Sequence, residues 1–248
     1  MRIRQYLGFL LVITFLIGCA PQVQTIKEDV RPASLSLDRY LTADGVDLPL
    51  KSWQAQDQAK AVIIAVHGFN DYRNGFAFPA SWWMQKGITT YAYDQRGFGE
   101  TEYKGIWAGA DRLKNDLATL VRLIRERHPN IPLYLLGESM GGAVVMASTD
   151  DANFPKVDGL ILSAPAVWGW QSLNLFYQGV LWIAAHVTPS MTASGNGLGV
   201  QASDNISMLQ NLGRDDYFIK QTRIDAVYGL VGLMDEAYNS AEMLVLPT

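Results

Sequence analysis

Four short apolar runs, each stopped by a turn, constrain this chain more than any other feature. They are Ala61 to Val66 before His67-Gly68, Ile88 to Tyr93 before Asp94, Pro132 to Leu136 before Gly137, and Gly159 to Ala164. Runs this short and this rich in branched and aromatic residues read as strands buried on both faces. Between the second and third, Leu113, Leu117, Leu120, Val121 and Ile124 recur at the spacing of one helix face, with Arg112, Lys114, Arg122, Arg125 and Glu126 elsewhere on it. Strands alternating with amphipathic helices imply an α/β fold: a mainly parallel sheet with helices on both faces. Leu35 to Tyr40 and Asp47 to Trp53 flank Asp44-Gly45, a hairpin signal that adds antiparallel strands at one edge.

Composition narrows the partners. Of 248 residues, 49% are hydrophobic, and the net charge of −4 provides no basic footprint for a phosphate backbone, so nucleic acid is not an expected partner. Cys19 is the single cysteine, which excludes an intrachain disulfide and a cysteine-built metal cage.

The N-terminus reads as an address. Arg2 and Arg4 precede an apolar run from Tyr6 to Ile17, and Gly18-Cys19-Ala20-Pro21 follows. The run is too short for a bilayer, which asks for roughly 20 apolar residues, and suits a secretory signal peptide over residues 1–18. Leu16-Ile17-Gly18-Cys19 resembles the bacterial lipoprotein box, in which the cysteine is lipid-modified. That resemblance implies a chain held in a bacterial cell envelope through Cys19, on the periplasmic side of an outer membrane. Residues 19–34 read as a polar tether and 35–248 as the folded domain.

The turn after the third run carries the chemistry. Gly137-Glu138-Ser139-Met140-Gly141-Gly142 follows a strand and opens onto Ala143-Val144-Val145-Met146-Ala147, a helix-compatible run. This is the G-x-S-x-G nucleophile elbow in its required context of strand, sharp turn and helix. Glycines let the helix pass close to neighbouring strands, and the turn lifts the Ser139 hydroxyl to the positive end of a helix. An acyl transfer also needs amide donors for its oxyanion. The N–H of Met140 is one, and the loop His67-Gly68-Phe69-Asn70 offers the second from Phe69, with His67 positioning the loop.

His67-Gly68-Phe69-Asn70, Asp94-Gln95-Arg96-Gly97-Phe98-Gly99 and Gly137 to Gly142, in this order, resemble the monoacylglycerol lipase and lysophospholipase branch of the α/β-hydrolases, also called the serine aminopeptidase family. The resemblance runs from about Tyr40 to the end. It implies a serine hydrolase that cleaves esters of single-chain lipids through an acyl-enzyme, with Ser139 as nucleophile and no cofactor. It also implies a helical cap, here about 167–243. Residues 159–203 contain no Asp, Glu, Lys or Arg, as an apolar lid over Ser139 would have; core packing and a span from about Val167 to Val187 are the other readings, Gln171, Gln178 and His186 speaking against the span.

One departure stands out. In this fold the acid and then the histidine follow the serine. After Ser139 the sequence has only His186, inside the apolar stretch, where it reads as a cap residue. His128, before Pro129, reads as an exposed helix end. Asp204, Asp215, Asp216, Asp225 and Asp235 follow no readable strand. The catalytic Asp and His are therefore expected to be absent from this chain, which reads as a truncated member lacking the last strands. The alternative is a lipoprotein that keeps the pocket only to bind an apolar ligand. Gly195-Asn196-Gly197-Leu198-Gly199 follows no strand and is no dinucleotide fingerprint, and no metal motif occurs.

Overall fold

The computed structural model describes residues 20–25, 27–194 and 203–244. The leader with Cys19, the loop Gly195 to Gly199 and the last residues lie outside the described residues. Seven strands form one sheet: β1 (Ser34–Leu35), β2 (Arg39–Leu41), β3 (Asp47–Trp53), β4 (Ala61–Val66), β5 (Ile88–Tyr93), β6 (Leu133–Glu138) and β7 (Gly159–Ser163), in the order β1-β2-β3-β5-β4-β6-β7. β5, β4, β6 and β7 run parallel to one another, while the pairs β1–β2, β2–β3 and β3–β5 are antiparallel. All four runs are strands. The expected Leu35 to Tyr40 strand is broken, because the Ser36 N–H bonds back to the Arg39 carbonyl and turns the chain between β1 and β2.

Side chains alternate across the sheet and feed two cores. Val62, Ile64 and Val66 face one side, packed under α2 (Ala110–Arg127) and α3 (Met140–Thr149), and Ile63 and Ala65 face the other, under α1 (Ala77–Met84) with Phe76 and Ala80. The helical period of Leu113, Leu117, Leu120, Val121 and Ile124 is borne out, since all five are buried along α2.

The stretch read as a cap divides into two parts. α4 (Leu175–Val187) and α5 (Ile206–Arg214) are exposed, and the short strands β8 (Thr192–Ala193) and β9 (Thr222–Arg223), on either side of α5 in the chain, pair with each other. α6 (Ile224–Ser240) instead packs on α3, and its Ala226, Leu230, Leu233 and Ala237 join the main core. Among the described residues no helix is long and apolar enough to cross a membrane. The proposed tether is also docked: Val23 bridges Trp107, Gln24 N–H donates to the Trp107 carbonyl, and Gln22 N–H donates to Asp225 at 3.2 Å.

Candidate active site

Ser139 occupies the single residue between β6 and α3, with φ 50° and ψ −116°. A non-glycine residue at this dihedral pair is strained, and such strain persists only where the surroundings over-determine it. Two long bonds do so: Ser139 N–H donates to the Ser163 carbonyl at 3.0 Å, and Ala166 N–H donates to the Ser139 carbonyl at 2.9 Å. The glycines around it leave no room for a side chain. A Cβ on Gly137 would lie 2.6 Å from the Gly141 carbonyl oxygen, one on Gly142 would lie 2.8 Å from Pro165, and one on Gly141 would overlap the Val66 carbonyl. The helix thus crosses the ends of β4 and β6 in contact with their backbone. Ser139 stays half-buried at the N-terminus of α3, where the helix dipole is positive.

The loop after β4 comes alongside. A Cβ on Gly68 would sit 3.3 Å from that of Ser139 and 2.7 Å from a Glu138 carboxylate oxygen. The Glu138 carboxylate accepts the Gly68 N–H, and burial holds its pKa above the ordinary carboxylate range. Among the described residues no protein acceptor takes the N–H of Phe69 or of Met140. Phe69 follows Gly68 in the loop beside Ser139, and Met140 opens α3 directly after it.

His67 is buried and built into this loop. Its Nε2 accepts the Gln95 N–H at 3.0 Å, so its Nδ1–H donates to the Gly68 carbonyl at 2.8 Å, while the Gln95 amide donates back to the His67 carbonyl at 2.8 Å. Burial is the main cause of a pKa lowered from 6.5 to about 4. The imidazole is neutral, both nitrogens are occupied, and it ties the loop after β4 to the loop after β5 rather than acting as a base. A depressed basic pKa stabilises the fold fully above 6.5, and that stability is lost as pH falls through 4. The full shift corresponds to about 3 kcal/mol. Denaturation midpoints measured from pH 7 to pH 4 should fall less steeply in a His67→Asn variant than in the parent; equal slopes would contradict this role.

Asn70 completes the loop in a left-handed conformation, φ 68°. Its amide donates to the Thr222 hydroxyl at 2.7 Å and its carbonyl accepts the Ile219 N–H at 2.9 Å, while Tyr72 O–H donates to Asp215 at 2.7 Å. The segment before α6 thus holds the loop from outside. Asp71, half-buried beside it near Glu138 and Asp215, has a raised pKa, chiefly from desolvation. Neither the Asn70–Thr222 tie nor the Gln95–His67 pair carries a sequence signal, because each joins residues far apart in the chain.

Against this geometry, the sequence profile of the serine aminopeptidase, S33, family matches residues 57–248. The chain belongs to that family. The monoacylglycerol lipase of Mycolicibacterium smegmatis is 30% identical over 125 residues, covering 50% of this chain and 44% of that protein. Phospholipase YtpA of Bacillus subtilis is 26% identical over 187 residues, covering 70% of this chain and 66% of that protein. The chain spans less than half the length of the first curated lipases it matches. In solved structures, a lipase in its open form superposes with a TM-score of 0.70 at 18% identity, covering 86% of this chain and 78% of that one. A soluble variant of the Saccharomyces cerevisiae monoglyceride lipase gives 0.64 at 20% identity, covering 89% and 72%. The fold is that of the α/β-hydrolases.

Among the described residues no histidine is hydrogen-bonded to Ser139. His186 lies on α4, its Nδ1 bonded to the Trp182 carbonyl at 2.7 Å, its ring stacked on Trp182 and edge-on to Tyr228. His128 is not the exposed residue its place before Pro129 suggested: it is half-buried, with Nε2 2.9 Å from the Tyr91 hydroxyl. Three of the carboxylates of the later segment have partners away from Ser139. Asp215 accepts from Tyr72, Asp225 pairs with Arg223, and Asp235 accepts the Gln171 N–H. A groove of about 370 Å³ lies between Trp170, Leu175, Gln178, Gly179, Trp182 and Tyr228, on the α4 and α6 side. Among the described residues no cluster of His, Cys, Asp and Glu suited to a metal ion occurs.

Proposed function

We propose that this protein hydrolyses carboxylic esters of single-chain lipids through an acyl-enzyme, with Ser139 as nucleophile and the N–H groups of Phe69 and Met140 as oxyanion donors. The observation that carries the proposal is the strained Ser139 backbone, braced by Ser163 and Ala166 beside two amide donors without protein acceptors. The lipase and phospholipase relatives support the substrate class. In such a site the serine attacks the ester carbonyl, its proton passes to a general base, the two amides hold the tetrahedral oxyanion, and the alcohol leaves with that proton; water, deprotonated by the same base, then attacks the acyl-serine, releasing the fatty acid and returning the proton to Ser139. None of His67, His128 and His186 stands where it can take that proton. A lipid-modified Cys19 in a bacterial envelope, as the leader suggests, would bring the site to its substrates.

The test uses the natural gene product at its full length, with a medium-chain p-nitrophenyl ester. Ser139→Ala should lower turnover by about 10⁴-fold or more. Retained turnover in a correctly folded variant would refute the nucleophile. The histidine arrangement also supports a second reading, a lipoprotein that keeps the pocket for an apolar ligand. A folded natural protein that neither turns over ester nor reacts at Ser139 with a fluorophosphonate would favour it.

A further inference from the structure

We propose that Glu138 is a positioning residue, whose carboxylate braces the Gly68 peptide from the residue next to Ser139 and so keeps the Phe69 N–H aimed at the reacting carbonyl. The proposal deepens the reading of Ser139 as nucleophile and Phe69 as oxyanion donor, and rests on it. Glu138 closes β6, in register with Ser163 of β7, so its backbone is fixed by the sheet one residue before the elbow. Its carboxylate reaches across to the loop after β4: a Cβ on Gly68 would lie 2.7 Å from Oε2 of Glu138 and 3.3 Å from the Ser139 Cβ. The acid is half-buried, with the Gly68 N–H as its partner. Among the described residues no ion pair offsets the burial of this acid, so the contact with Gly68 is what makes it tolerable.

Planarity of the peptide bond turns this contact into aim. In a trans peptide the C=O and N–H point in opposite directions, so whatever holds the Gly68 carbonyl sets the direction of the Phe69 N–H. That carbonyl accepts His67 Nδ1–H at 2.8 Å and the Asp71 N–H at 3.2 Å. The preceding peptide is held at both of its polar ends: the His67 carbonyl accepts the Gln95 amide at 2.8 Å, and the Gly68 N–H meets Glu138. His67, Asp71 and Gln95 belong to the loops after β4 and β5, and they shape the turn without referring it to the serine. Glu138 supplies that reference, because it is bonded through the chain to Ser139 itself. Removing its acceptor should leave the loop folded and the substrate bound, while the donor drifts from the position where negative charge develops.

The experiment uses the natural gene product at its full length, with Glu138→Met, which keeps the bulk and removes the acceptor, and Glu138→Gln, which keeps an acceptor oxygen and removes the charge. With a medium-chain p-nitrophenyl ester, Glu138→Met should lower kcat by about 10- to 100-fold with KM within about 3-fold of the parent, since an oxyanion donor acts in the transition state. Glu138→Gln should recover most of that loss. A trifluoromethyl ketone of the same acyl chain, which forms a tetrahedral oxyanion on the serine, should lose affinity for Glu138→Met in proportion to the fall in kcat. A loss confined to KM, a Gln variant as slow as the Met variant, or an inhibitor affinity unmoved by Glu138→Met would overturn the proposal. The Gly68 amide proton gives a reading that does not depend on Glu138→Met folding. At about pH 8 it should resonate further downfield in the parent than in the isosteric Glu138→Gln, because a charged acceptor makes the stronger bond; identical shifts would overturn the proposal. A parent that neither turns over ester nor reacts at Ser139 with a fluorophosphonate overturns the nucleophile reading and this proposal with it, whereas an active parent with an equally active Glu138→Met overturns this proposal alone.

Discussion

Gly141→Ala is expected to yield no natively folded protein. A methyl group there would overlap the Val66 carbonyl and press on the His67 carbonyl, both backbone atoms at the end of β4. Neither can rotate away as a side chain could, so α3 must lift off the sheet, taking with it the fully buried Met140, Ala143, Val144 and Val145. Domains of this kind have a net stability of about 5–15 kcal/mol, and loss of this packing removes a large part of it. Circular dichroism and thermal unfolding read the outcome, and a cooperative transition at the parent temperature would show that the elbow has more slack than its geometry gives. Ala143→Gly, one turn into the same helix, should cost only about 1 kcal/mol from helix propensity, plus its lost packing.

Arg96→Met should destabilise by about 3–5 kcal/mol, because it strands two buried carboxylates. The guanidinium donates to Asp44 at 2.8 Å through two nitrogens and to Asp116 at 2.6 and 3.0 Å, with all three side chains buried. Arg96 holds the Asp44 carboxyl at about 2, with hydrogen bonding outweighing burial, while burial of Asp116 pushes it up to about 6. In the variant both acids lose the Arg96 guanidinium, Arg112 at 3.7 Å from Asp44 being the cation that remains, and their carboxyls shift toward the neutral form. The deficit against the parent should therefore be largest near pH 8 and shrink toward pH 5, as urea midpoints would reveal. Adding Asp44→Asn and Asp116→Asn should restore part of the loss; a triple variant no better than Arg96→Met would show that the pairing of charges is not what matters.

The parts of the fold that were legible in the sequence were those with a local cause. The strands of the parallel sheet showed as short branched runs because burial on both faces leaves no polar positions. The elbow showed because a helix in contact with backbone needs glycine at positions 137, 141 and 142. The His67 loop was placed beside it by motif alone, and the structure does set Gly68 next to Ser139. What stayed hidden was made of pairs across long sequence separations. Arg96 reads as one more cation until Asp44 and Asp116 fold around it. Gln22 to Gln24 look like a spacer, for a polar segment that docks through its backbone leaves no hydrophobic period. α6 falls within the cap of about 167–243 that the family resemblance implies, and its packing on α3 and its share of the main core come from contacts with residues far away in the chain. His128 was read from its place at a helix end, and its bond to Tyr91 could not be inferred from its neighbours.

The bond from Gln22 to Asp225 spans 203 positions. A chain made from its N-terminus cannot close that link until the start of α6 has been synthesised, so Gln22 waits through most of translation for its acceptor. The clasp between the two distant segments is among the last contacts the growing chain can make.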